Sequence, residues 1–506
     1  MILRTEIAAD SPTGLTFGDS PPIKTTPTRR PGENRARHVE SFRGAPSLMK
    51  NRSVLIQAAV ICCFSVHLLD AAERVDSAIW KVGVAALDIT PKEPAWTAGY
   101  GTSTLKPSEK VVLPIFAKAM VLEDTVGARM VMVTLDLIGV PRKTRDGVER
   151  KVAERYQLPR ESILLNASHT HTAPALTAGG IINPAYAAKA VAYADALEDR
   201  IVEVVGQSLA ASGPARLHYV RARAGFAMNR RLPVGTSFGN SPYPDGPVDH
   251  DVPVLKITAA DGKLKALLFG YACHNTATGR YLVISSDYAG YAQKYLEEAH
   301  PGTIAMFMMG AGGDQNAYPR HSASLEQPAQ HGRTLANAVE AGLAVVSPRP
   351  VLGPLRSAFA YVDLDFADIT RADLERRARS SDAGEKKRAG ELLEKLDSGA
   401  EFRTSYPCPV QVVRFGNDLL LAAIGGEITV DYSLRLKREL GGGSAAIWVA
   451  GYSNDVFGYL GSKRVIVEGG YEGYSSNLGR FPGPWAIDSE ERVVRKVYEL
   501  IRTVNH

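Results

Sequence analysis

The residues best able to do chemistry lie in two short histidine clusters, Asn166-Ala167-Ser168-His169-Thr170-His171-Thr172 and Tyr271-Ala272-Cys273-His274-Asn275. Each follows an apolar, strand-like run. Neutral imidazole is the commonest protein ligand for a catalytic metal. Side chains two apart on an extended backbone share a face, so His169 and His171 would look into one cavity. The plainer readings stay open at this point: a satisfied polar pair for His169 and His171, and a core histidine bonded to backbone for His274. A catalytic zinc takes three protein ligands and keeps one position for water. Glu427, in Ile424-Gly425-Gly426-Glu427-Ile428, is the best carboxylate, because the glycines let backbone approach closely. It fits equally well as a helix N-terminal acid favoured by the dipole.

The segment Gly310-Ala311-Gly312-Gly313-Asp314-Gln315-Asn316 lacks both the P-loop and the dinucleotide glycine patterns, so nucleotide binding is not expected. It reads as a tight loop that sets Asp314 and main-chain N–H groups beside a substrate. Asp287, in Ser285-Ser286-Asp287-Tyr288, is either a site acid or the N-cap of the helix that follows. His-Glu-x-x-His is absent, which excludes a zincin-type protease. A serine-hydrolase elbow is not expected.

Positioning these residues takes a large fold. The 506 residues are 45% hydrophobic and 22% charged, an ordinary globular composition with ample length for a core. Residues 1–50 hold eight Lys/Arg and five Asp/Glu, so most of the net +5 lies there. The near-neutral remainder gives no electrostatic reason to expect nucleic acid as a partner. Residues 1–48 are rich in Pro, Thr, Arg and Gly and read as disordered. Residues 49–72 have the layout of a secretory signal peptide: a basic Met49-Lys50-Asn51-Arg52, an apolar run, then Leu69-Asp70-Ala71-Ala72. On that reading Met49 is the true start and the product is secreted or periplasmic. Cys62 and Cys63 fall in the signal, leaving Cys273 and Cys408, which allow one disulfide without implying it.

Strand patterning covers residues 80–89, 111–122, 129–137, 162–166, 216–223, 252–257, 264–273, 303–309, 410–424 and 445–450. Helical spacing covers 144–156, 187–211, 288–299, 327–346, 430–439 and 489–504, and the charged stretch 371–396 reads as a solvated amphipathic helix. Residues 235–251, rich in Gly, Pro, Ser and Asp, read as a long loop. The alternation has no strict βαβ regularity. The expected class is therefore α/β (α+β), with mixed β-sheets flanked by helices in a single large catalytic domain over 73–506.

Taken in order, several segments resemble the neutral/alkaline (non-lysosomal) ceramidase family. They run from Val82-Gly83-Val84-Ala85-Ala86-Leu87-Asp88-Ile89-Thr90-Pro91 to Tyr471. Between these lie Ser168-His169-Thr170-His171, Phe226-Ala227-Met228-Asn229-Arg230, Ala272-Cys273-His274, Ser286-Asp287-Tyr288, Gly313-Asp314, Gly426-Glu427 and Ser453-Asn454 through Tyr459. The resemblance implies a zinc amidohydrolase whose Zn2+ is held by His169, His274, Glu427 and Tyr459. It further implies His171 at the reacting centre, Arg230 as a substrate-orienting cation and Tyr471 lining the site. Tyr459 is preferred to Tyr452 for its spacing to Tyr471. Asp314 is expected to position a histidine from behind.

The chain departs from the family pattern in two ways. Typical members place Ser shortly after the Gly-Asp, where this chain has Gln315-Asn316-Ala317. They also carry a C-terminal immunoglobulin-like domain, which this chain is expected to lack. The expected function is hydrolysis of the amide of ceramide or a related N-acyl lipid, with transient membrane-surface contact. Two other readings accompany it: a zinc hydrolase of another amide or ester, and a secreted non-catalytic binding protein on the same scaffold.

Overall fold

Alternation along the strands decides the layering. In Phe116–Glu123, Met120 and Leu122 enter one core while Ala117, Ala119 and Val121 enter another. This computed structural model describes residues 80–99, 106–178, 181, 183–320, 324–345 and 348–505. The stretches expected to be disordered (1–48) and to form a signal peptide (49–72) lie outside these residues.

The main sheet runs in the order Ile304–Met309, Leu264–Tyr271, Asp251–Ala259, Gly213–Arg223, Trp80–Asp88, Phe116–Glu123, Arg129–Leu135, Ile163–Ala167, and Arg349–Val351 pairs on Gly213–Arg223. Most pairs are antiparallel, but the two edge pairs are parallel. A second sheet joins Leu355–Asp365, Ser405–Phe415, Leu419–Ile424 and Ala446–Ala450. The two sheets pack face to face. Val82, Met132, Leu217 and Leu268 of the first meet Val413, Phe415, Leu421 and Trp448 of the second. Each such buried side chain contributes about 1.5–3 kcal/mol.

Helices cover the outer faces. Arg142–Tyr156 and Pro184–Ala210 bury Val148, Val152, Leu197 and Ile201 against the main sheet. Asp287–Ala299 and Glu326–Val345 do so at its other end through Tyr288, Leu296, Leu335 and Val339. Val430–Leu440 and Ser489–Asn505 cover the second sheet through Tyr432, Leu436, Val493 and Val497. The architecture is helix, sheet, sheet, helix, which is the expected mixed α/β class. No helix among the described residues is long and apolar enough to cross a membrane.

Three local expectations need correction. The loop expected at 235–251 contains the strand Ser237–Tyr243, which turns at Gly235 (φ +59°) and pairs back on Ala227–Val234. Its side chains are half-buried or exposed and, broken by Gly239 and Pro242, carry no clean alternating apolar signal, so only the pairing reveals it. The single helix expected at 371–396 is two, Arg371–Arg377 and Ala383–Asp397. Thr370 and Asp382 cap them by accepting from the amides of Asp373 and Glu385. The strand expected at 410–424 is a hairpin that turns at Gly416 (φ +48°). Cys273 and Cys408 are both buried and unpaired.

Candidate metal centre

The site forms where strand ends of both sheets meet. Asn166, at the end of Ile163–Ala167, accepts from the amide of Met309 at 2.7 Å and donates to the carbonyls of Met309 (3.3 Å) and Gly451 (2.8 Å). One buried side chain therefore ties three strand ends together. Asn275 does the same for the two histidine clusters. Its side chain donates to Ser168 O, and its own carbonyl accepts from the amide of His171 at 3.2 Å.

His169 and His274 are then aimed by the backbone. His169 Nδ1 lies 2.6 Å from Ile138 O, and His274 Nδ1 lies 2.6 Å from Gly312 O. A carbonyl only accepts, so each Nδ1 carries a proton, and in the neutral ring Nε2 then presents the lone pair. These Nε2 atoms face Glu427 Oε2 at 3.1 and 3.5 Å. His171 Nε2 is 3.1 Å from His169 Nε2. His169, His171 and His274 offer ligand atoms that all lie within 4.8 Å of one another.

Glu427 Oε2 is buried and has no hydrogen-bond partner. Acceptors facing acceptors in a buried space repel unless a cation sits among them. Burial, then the charge of Arg230, pushes the His274 pKa down to about 3. Burial, then His169 and His274, holds His171 well below its ordinary value. Burial alone would raise Glu427, but His169 and His274 hold it well below 4.5. Imidazole nitrogens around a carboxylate are a donor set that suits zinc.

Strand register brings in the tyrosine. Glu427–Ile428 pairs in parallel with Tyr459–Leu460, so Glu427 sits directly beside Tyr459. The Tyr459 hydroxyl lies 3.1 Å from His274 Nε2 and accepts from Arg230 Nη2 at 2.9 Å. Gly426 makes this turn at φ +76°. A Cβ at Gly313 would lie 2.6 Å from Glu427 O, so the glycine loop must press against the acid's backbone. Tyr471, 46% exposed, packs its ring 5.3 Å from that of Tyr459. The hydroxyl of buried Tyr452 has no partner, although its ring lies 4.6 Å from that of His169.

Other candidates have structural contacts. The loop 310–316 spends its amides internally: Gly310, Gly312, Gly313 and Gln315 donate to Tyr271, Gly310, Ile428 and Gly312 carbonyls. What it offers the site is the Gly312 carbonyl. Asp314 accepts from the amide of Val430 (2.8 Å) and from Asn229 Nδ2 (3.1 Å), with Arg464 at 3.9 Å, rather than from a histidine. Gln315 donates to Ala272 O and Ala311 O.

Asp287 opens its helix at φ +53° and accepts from the amides of Ala277 (3.2 Å) and Thr278 (2.7 Å), which fixes the segment after His274. The letters Gly235-Thr236-Ser237-Phe238-Gly239 match a serine elbow. They occupy a hairpin turn, however, and not the strand-to-helix turn an elbow requires. Sequence reasoning missed Glu472, the buried carboxylate on Arg230 and Arg231. The usable signal was two adjacent arginines in a strand, which must find a counter-charge if buried.

A cleft of about 580 Å³ opens on His169 and Glu427 between Trp96, Ile138, Leu176, Val456 and Arg480. A second cavity of about 330 Å³, walled by Pro94, Trp96, Pro174, Tyr186 and Tyr193, shares Trp96 and Ala175 with it.

Residues 80–310 match the family model of neutral/alkaline non-lysosomal ceramidase, N-terminal, which bears out the resemblance read from the sequence. No curated protein matches the chain. In fold, the chain is similar to a neutral ceramidase from Pseudomonas aeruginosa, at a TM-score of 0.64 and 20% identity over 84% of this chain and 74% of that one. It is also similar to a ceramidase complexed with C2, at a TM-score of 0.64 and 19% identity over 84% and 76% of the two chains.

Proposed function

We propose that this chain, a ceramidase-type hydrolase by its match over residues 80–310, is a zinc-dependent amidohydrolase that cleaves ceramide or a related N-acyl lipid outside the cytoplasm. The observation that carries this reading is the buried convergence of His169 Nε2, His274 Nε2 and Glu427 Oε2. These three residues and Tyr459 would hold the zinc. When bound, the ion supplies Lewis acidity toward the scissile carbonyl and lowers the pKa of water to about 7.

The chain's own residues supply the rest. The Ile138 and Gly312 carbonyls keep two imidazoles in the ligating tautomer. His171 is held neutral by burial, the state that accepts a proton at Nε2. Arg230, buried beside Tyr459, orients the substrate and offers positive charge where an oxyanion develops. Tyr471, partly exposed and packed edge-on against Tyr459, is a second donor to that oxyanion. Losing one such donor costs roughly 2.7–4 kcal/mol of barrier. The apolar side chains at Trp96, Ile138, Leu176 and Val456 would contact an acyl chain.

The test is hydrolysis of a fluorescent ceramide by the purified chain, alongside elemental analysis. Expected are about one zinc per chain and turnover abolished in His169→Ala. Absence of zinc would sink the reading. A second reading keeps the zinc and changes the substrate to another amide or ester. It is favoured by Asn316, which binds Arg230 Nη1 at 3.3 Å where the resembling family has a serine nearby. Zinc without ceramide cleavage would select it.

A further inference from the structure

We propose that Glu472 is a positioning residue, whose buried carboxylate aims Arg230 at Tyr459. The proposal rests on the hydrolase reading above and adds a residue to it. Glu472 is 2% exposed. One of its oxygens accepts from Arg230 Nε at 2.8 Å and the other from Arg231 Nη1 at 2.7 Å. Adjacent residues of a regular strand point to opposite faces. Here the register shifts between Asn229 and Arg231. A bulge of that kind re-aims a side chain, and both arginines reach one carboxylate.

Each nitrogen of the Arg230 guanidinium then has its own partner: Nε on Glu472, Nη1 on Asn316 Oδ1 at 3.3 Å, and Nη2 on the Tyr459 hydroxyl at 2.9 Å. Three separate contacts on a planar fork leave it one orientation. Glu472 is the ionised member of the three, so it supplies the strongest contact and the counter-charge.

The segment that carries Glu472 is itself held. Gly469 and Gly470 turn it at φ +68° and +72°, and Arg231 Nη2 donates to Glu468 Oε2 (3.1 Å) and Gly469 O (2.9 Å). A Cβ at Gly473 would lie 2.1 Å from Val465 O, so the backbone there is pressed close. Tyr471 precedes Glu472 and packs on Tyr459. One carboxylate thus sets Arg230 directly, from a segment whose own turns and packing hold Tyr471. Buried charge clusters seldom stabilise a fold more than apolar packing would. This cluster is better accounted for by what it aims.

The test is a double-mutant cycle on the full, zinc-loaded chain with Glu472→Gln, Arg230→Met and both together. It is read as kcat and KM on fluorescent ceramide and as zinc Kd by chelator competition. Glu472→Gln is expected to lower kcat about 100-fold, to leave KM within about threefold and to raise the zinc Kd about tenfold. Glu472→Asp should restore part of kcat. In the Arg230→Met background, Glu472→Gln should change kcat and Kd by less than about twofold. In an Arg231→Met background it should keep its full effect.

Equal fold-changes with and without Arg230, or coupling to Arg231 alone, would overturn the proposal. If Glu472→Gln does not fold, Glu472→Asp carries the same cycle. If the wild-type chain leaves ceramide intact, the ceramide reading fails on its own, and the zinc Kd cycle still decides the role of Glu472.

Discussion

Two buried tyrosines stand near the histidines, and removing one hydroxyl from each separates their roles. Tyr459 accepts from Arg230 Nη2 at 2.9 Å and lies 3.1 Å from His274 Nε2. Tyr459→Phe strips both contacts. The fold loses an acceptor for a buried cationic N–H, a cost of about 1–3 kcal/mol. The reaction loses a group at the centre, a further 2.7–4 kcal/mol or so of barrier, which lowers kcat roughly 100- to 1,000-fold. Tyr452 contrasts with this, because its buried hydroxyl has no partner. Deleting an unsatisfied hydroxyl removes a desolvation burden, so Tyr452→Phe should leave stability unchanged or raise it by about 1 kcal/mol. Its kcat should stay within about threefold of wild type. The assay is melting temperature, zinc content and ceramide kinetics on the two variants and wild type in parallel. Near-normal zinc and kcat in Tyr459→Phe, with both lost in Tyr452→Phe, would refute the assignment and exchange the two residues.

Removing zinc with a chelator should lower the melting temperature, because a ligand at 1,000 times its Kd stabilises the fold by about 4.1 kcal/mol; an unchanged transition argues against a bound ion. Asp287→Ala deprives the buried amides of Ala277 and Thr278 of their acceptor and forces alanine to φ +53°. Urea unfolding should show a loss of about 2–5 kcal/mol, and a loss under about 0.5 kcal/mol would show that the segment is held otherwise. Burial pushes the Asp136 pKa from 3.8 up to about 6, against the pull of Lys118. A raised carboxyl favours the folded state when protonated, so this contribution is present at low pH and is lost as pH rises from about 4 to about 6, roughly 3 kcal/mol in all. Asp136→Asn should flatten that window in unfolding curves taken from pH 4 to 7, and an unaltered slope would reject the cause.

Much of this protein was legible in local pattern. Alternation marked Trp80–Asp88, apolar β-rich runs marked Arg129–Leu135 and Leu264–Tyr271, which are buried on both faces, and helical spacing marked Asp287–Ala299 and Ser489–Asn505, which bury one stripe. Side-chain type singled out His169, His274 and Glu427, since few residues other than these bind a catalytic metal. Local pattern failed where pairing decides structure. Ser237–Tyr243 is a strand only because Ala227–Val234 lies beside it. Glu427 meets Tyr459 only through the register of two short parallel strands.

The sequence by itself determined which residues have the chemistry to hold a metal, and which runs must form sheets and helices. Those properties depend on side-chain type and on spacing within a few residues. Tertiary structure alone decided that Asn166 and Asn275 tie distant strand ends, that the Ile138 and Gly312 carbonyls set the histidine tautomers, and that Glu472 sits under Arg230. These contacts join residues far apart in the chain. They arise from how the two sheets meet, which no local period encodes.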